Sequence, residues 1–214
     1  IESMPDLGTT VLLPTVIAGV LCGALGGSFS WLLLWPQRRP DAALWAWRRA
    51  HPVWFAGVCG LVVAALGWIS SGSSFGSGYL SAAQTIDGRI ALQWHAPLTR
   101  FFATVATYFS GIPGGVFAPA LAVGTALGHD LAQYSGLAVT AHAWIALCMA
   151  AFLAAVTQSP ITAAIIVMEM VDGHQMVISL MAASFLSKTV SAAFGPELYQ
   201  QLALGWIAPP APLA

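Results

Sequence analysis

A chain of 214 residues that is 58% hydrophobic and 7% charged, with a mean hydropathy of +0.79, has too few charges to cover a water-facing surface, for which about 25% is usual. Seven Lys/Arg against eight Asp/Glu give a net charge of -1, which argues against a nucleic-acid partner and against a polybasic lipid-binding patch. The composition is that of a multi-pass integral membrane protein, with the lipid bilayer as its first partner.

The chain opens Ile1-Glu2-Ser3, with no initiator methionine and no basic region ahead of a short apolar segment, so no signal peptide is expected and the chain reads as part of something longer. Val11 to Trp35 runs for about 25 residues without a charge, enough to span roughly 30 Å of hydrocarbon. Gly19, Gly23 and Gly27 form a seam on that helix where another backbone can approach, and Pro14 is expected in its first turn. Pro36 to His51 holds four of the seven basic residues, Arg38, Arg39, Arg48 and Arg49, beside Trp45 and Trp47. This predicts a cytoplasmic loop over about 36–51.

Pro52 to Ser71 is the second expected span. It runs into the small, polar stretch Ser70–Gly78, which belongs at an interface or beside a cavity. Leu80 to Trp94, with Asp87 and Arg89 around Gly88, is too short to cross; a helix from about Pro97 to Phe109 follows. Next comes Ser110-Gly111-Ile112-Pro113-Gly114-Gly115-Val116-Phe117-Ala118-Pro119, which stops one helix and starts another. A helix beginning inside the membrane directs unpaired N–H groups at what lies there, a way of holding an anion without a fixed positive charge.

Further helices are expected from Val116 to Asp130, Ala141 to Val156, Ile161 to Val171, His174 to Phe194, and in a short terminal segment at about 196–204. Cys22, Cys59 and Cys148 read as small core residues. Glu169 reads as structural, and His129 and His142 lack a convergent third ligand, so no metal and no cofactor are expected.

Gly114-Gly115-Val116-Phe117-Ala118-Pro119 resembles the GxFxP signature of the CLC family of chloride channels and chloride/proton antiporters. Ser159-Pro160 through Glu169 and Asp172 resembles the family's APLTGIVLVLEMTD segment, and Gly195-Pro196-Glu197-Leu198-Tyr199 its GKPLY segment. The similarity runs from about Leu12 to Leu204. It implies an all-α polytopic membrane protein: a CLC-like bundle of full and broken, tilted helices, with residues 1–214 forming the second inverted-repeat half and 110–128 carrying the anion-binding helix start.

The same resemblance implies an anion site made by the backbone N–H groups of Val116 and Phe117, the approach Gly114-Gly115, and the Tyr199 hydroxyl, with chloride or a similar small anion as the transported ligand. It further implies a homodimer through about 161–171 and 175–193. No CBS domain is expected after Trp206, and a prokaryotic inner-membrane member is the expectation. The gate glutamate and the selectivity serine of the family belong to the first half, so channel and antiporter both stay open. Two other readings have less behind them. An intramembrane serine hydrolase would draw on Ser73, Ser74, Ser77, His95, His129 and His142, but no GxSxG elbow is present. A non-conducting accessory half-subunit is the second.

Overall fold

The computed structural model describes residues 9–112, 114–137 and 139–207, and side chains from 11 to 204 within them. Every regular element among these residues is helical. They are α1 (Thr9–Leu33), α2 (Trp35–Arg38), α3 (Ala43–Ala50), α4 (Pro52–Ile69), α5 (Tyr79–Ile86), α6 (Ala96–Ser110), α7 (Phe117–Tyr134), α8 (Ala141–Thr157), α9 (Pro160–Met170), a 3-10 turn at His174–Met176, α10 (Val177–Ala192) and α11 (Leu198–Ile207).

The core is built around α8. Its sequence is apolar on all sides and rich in alanine, so it has no face to give to water, and each residue from Ala143 to Val156 is at most 1% exposed. Helices α1, α7, α9 and α10 pack around it, α6 and α5 pack on α7, and α4 lies outermost against α6. The small residues set these distances. A Cβ added at Gly128 of α7 would stand 2.5 Å from the Ile145 Cα of α8, and one at Gly23 of α1 would stand 2.9 Å from the Ser187 carbonyl oxygen of α10.

Polar side chains inside the bundle tie helices together. The hydroxyls of Ser187 and Ser191 on α10 donate to the Ala151 and Ala155 carbonyls of α8, each at 2.6 Å. Bonds of this kind between membrane helices contribute about 0.6 kcal/mol on average. Cys22, Cys59 and Cys148 are buried and unbridged. Outside, α4 exposes Trp54, Leu61 and Trp68 by 71% or more, an apolar surface that water would not tolerate and lipid would. Among the described residues two helices, Val11–Leu33 and Pro52–Ile69, are long and apolar enough to cross a membrane; Ala141–Thr157 and Pro160–Met170 are apolar but shorter.

Three expectations are corrected. Residues 36–51 form most of α2 and all of α3 in place of a loop, because Trp45 turns inward against Phe109, Trp35 and Phe55, with ring centroids 4.9, 5.4 and 6.2 Å apart. Burying that ring fixes the backbone around it. Pro14 is the sixth residue of α1, past the first turn, since the helix begins at Thr9. The turn above it is steadied by the Thr15 hydroxyl, which donates to the Val11 carbonyl at 2.7 Å. The final helix begins at Leu198, two residues later than about 196, and Trp206 and the tail lie outside the described side chains.

Candidate functional site

The break before α7 is built from a left-handed stop and a fresh start. Helix α6 ends at Ser110, and Gly111 takes φ 84°, a conformation that costs glycine little. The Ser110 hydroxyl donates to the Thr107 carbonyl at 2.6 Å and accepts from the Ile112 N–H at 3.3 Å. Pro113 lies outside the described residues. Gly114 and Gly115 are exposed, and Val116, 5% exposed, precedes the first residue of α7. The Ala120 N–H bonds back to the Val116 carbonyl at 3.0 Å, and Pro119 has no N–H. The N–H groups of Val116, Phe117 and Ala118 therefore make no bond to another described residue, as expected for a helix start.

The expected site residues fall on two sides of this start. Phe117 and Tyr199, both exposed, line one cavity of about 270 Å³ together with Ser159, Thr162 and Glu197, while Leu153 and Thr157 close it from the end of α8. Three helices begin there. Phe117 is the first residue of α7, Ser159 and Thr162 bracket the start of α9 at Pro160, and Glu197 and Tyr199 bracket Leu198, the first residue of α11. Each helix start contributes roughly half a positive charge. Gln158, left-handed at φ 53°, makes the sharp exit from α8 that brings Ser159 to this wall.

Gly114, Gly115 and Val116 line a different cavity, of about 240 Å³, with Thr104, Thr107 and Tyr108 of α6 and Ser74 and Gly76 of the loop before α5. The structure thus joins Phe117 to Tyr199 and sets Gly114, Gly115 and Val116 against α6. Sequence reading had not singled out Ser159, Thr162 or Glu197 as site residues. The signal available for the first was a serine directly before a helix-starting proline.

The remaining candidates do not converge. Glu169 is exposed near the end of α9. His129 is buried, with Nδ1 3.7 Å from Asp130 Oδ1 and Nε2 3.3 Å from Gln133 Nε2, whereas His142 lines a separate cavity with Asp87 and Arg89. No group of three metal-ligating side chains occurs among the described residues. In the serine-rich loop the Ser70 hydroxyl donates to the Ser74 Oγ at 2.9 Å, and His95 Nε2 meets the Ile69 carbonyl at 3.2 Å, so no serine there is paired with a histidine. Sequence reading also missed Arg100, which is 5% exposed. Its guanidinium donates to the Ser73 carbonyl and, at 3.0 Å, to the Ser81 hydroxyl, clamping the loop with neutral acceptors.

A family model described as voltage gated chloride channel matches residues 2–192. The chain belongs to this family. The family's members are integral membrane transporters and not enzymes. The chain is 29% identical over 198 residues to the H(+)/Cl(-) exchange transporter ClcA of Cronobacter sakazakii, covering 87% of this chain and 41% of that protein. The ClcA of Klebsiella pneumoniae matches at 29% over 200 residues with the same coverages, and that of Yersinia pestis at 27% over 220 residues, covering 94% and 44%. A solved CLC-type fluoride/proton antiporter superposes with a TM-score of 0.75 at 23% identity, over 93% of this chain and 48% of that one. That likeness establishes the CLC-type all-α fold. The chain spans about two-fifths of the length of the curated relatives it matches.

Proposed function

We propose that residues 1–214 are the second half of a CLC-type transmembrane unit and form one wall of a path for chloride or a similar small anion. The observation that carries this is the shared cavity of Phe117 and Tyr199, where α7, α9 and α11 all begin. In this reading the N–H groups of Val116 and Phe117 and the Tyr199 hydroxyl hold the ion, the Val116 N–H reaching it across the helix start, whose other side Gly114 and Gly115 leave free of side chains. The Tyr199 hydroxyl makes no hydrogen bond to another described residue, and the cavity has room for an anion with a few waters. Neutral donors hold an anion loosely enough to release it.

The relatives' names support proton-coupled chloride exchange, and the solved neighbour's title names fluoride, so flux with each anion under a proton gradient sorts the choices. The bacterial relatives support a place in the inner membrane. The homodimer reading is supported by α9 and α10, which leave Ile161, Ile165, Ile178 and Phe185 exposed on the outside of the bundle. Cross-linking in lipid that yields a dimer is the expected result. Tyr199→Phe tests the site directly. A hydrogen bond to a charged partner contributes about 1.5–3 kcal/mol, so chloride affinity should fall roughly 10- to 100-fold. Unchanged affinity and flux would remove Tyr199 from the path.

A further inference from the structure

The cavity beneath Tyr199 holds a carboxylate that a simple anion site has no use for. Glu197 lines it, half-buried, with Leu198 as the only residue between it and Tyr199. Its backbone is fixed on several sides: Leu198 is fully buried, the Gln201 N–H bonds to the Glu197 carbonyl at 3.1 Å, and the Gln158 side chain donates to the Gly195 carbonyl at 3.1 Å. Glu197 makes no ion pair among the described residues. The other groups around the cavity, Phe117 on α7, Leu153 and Thr157 on α8, Ser159 just before α9 and Thr162 on it, carry no charge. Tyr199 is the second titratable side chain there, and the nearest cation placed against this segment is Arg38, whose guanidinium lies beside Gly195.

A carboxylate and an anion in a space of about 270 Å³ lie within one screening length of each other, about 8–10 Å, so salt does not remove their repulsion. The anion is held better when the carboxyl is neutral. By reciprocity, a bound anion makes that carboxyl hold its proton more tightly. We propose that Glu197 is the proton-linked group of this cavity: a proton from water joins its carboxylate oxygen as the anion enters and leaves as the anion departs. The charges balance, one negative ion and one proton arriving together. This rests on the anion reading above, and it adds a proton-accepting position from within this chain.

Isothermal titration with chloride, on the purified protein in lipid nanodiscs, tests it. The wild-type affinity should be tighter at acid pH than at neutral pH, by roughly tenfold, because the anion is held better beside a neutral carboxyl than beside a carboxylate. Glu197→Gln should hold the acid-side affinity across the range, and Glu197→Asp should keep the slope. Chloride added to the lightly buffered wild-type protein should draw protons from solution, a readout that needs no variant. A full slope retained in Glu197→Gln, or measurable wild-type binding with no pH dependence and no proton uptake, overturns the role of Glu197 and leaves the anion site standing. Absence of binding at every pH overturns both. Tyr199→Phe should weaken binding with the slope intact, which separates the two claims.

Discussion

The two cavities beside the start of α7 are similar in size and unlike in what lines them. On the Tyr199 side three helix starts meet a free phenol and a carboxylate, so open donors and a titratable group share one space. On the Tyr108 side the hydroxyls of Thr104 and Thr107 already donate to the Arg100 and Ala103 carbonyls of their own helix, each at 2.8 Å, and the loop that closes the space is clamped by Arg100. The contrast shows how one helix start divides its surroundings. One flank gathers three helix starts beside a carboxylate; on the other the threonine hydroxyls are committed to their own helix and Arg100 holds the loop, while the Tyr108 hydroxyl makes no bond to another described residue.

The largest expected effect comes from a change that reaches both flanks. Gly128→Val puts side-chain atoms where even a Cβ would be 2.5 Å from Ile145 Cα, a backbone atom that cannot swing away. Helix α7 must then move off α8, carrying Phe117 with it. Overpacking of a close-fitting core costs about 1–3 kcal/mol, and more where backbone meets backbone, so thermal unfolding in detergent should show a large loss of stability. A variant as stable as wild type would mean that the α7–α8 approach is not what fixes the site.

A smaller and one-sided effect is expected from Arg100→Gln. The buried guanidinium satisfies the Ser73 carbonyl and the Ser81 hydroxyl, and the shorter amide cannot reach both. Leaving such a group unsatisfied costs about 1–3 kcal/mol. The loss should appear as lower thermal stability and as faster proteolysis within residues 70–78, with chloride affinity of the folded fraction unchanged. Affinity falling in step with stability would show that the two flanks are coupled.

Much of this layout was legible in the sequence. Unbroken apolar runs gave α1, α4 and α8, and the breaks Gly114-Gly115 ahead of Pro119 and Gln158-Ser159 ahead of Pro160 marked the starts of α7 and α9, because those residues act through local backbone chemistry. The glycine seam of α1 was legible as a seam, and its partner, α10, emerged only in the fold. Residues 36–51 were misread because their charge and tryptophan content spoke of position relative to a membrane, while the helix there depends on Trp45 finding Phe109, more than sixty residues away. Arg100 was passed over for the same reason: a lone arginine in an amphipathic helix gains its meaning from Ser73 and Ser81. The site residues were chosen through the family motif. Their division between two cavities is set by the direction in which each atom faces, which motif spacing does not encode.

The smallest expected effect is the sharpest test of that division. Tyr108, half-buried, and Tyr199, exposed, both lie near the start of α7, and they line opposite cavities. If the anion is held only where the helix starts converge, Tyr108→Phe should change chloride affinity less than about twofold, against the roughly 10- to 100-fold loss from Tyr199→Phe. Removing a hydroxyl that touches no ion changes little beyond its own hydration. Both variants belong in the same lipid preparation, with the thermal midpoint of each measured beside its affinity. A Tyr108→Phe loss as large as that of Tyr199→Phe, at unchanged stability, would place the ion on the Gly114–Val116 side of α7. A loss in both, additive in the double variant, would mean that anions visit both flanks in turn.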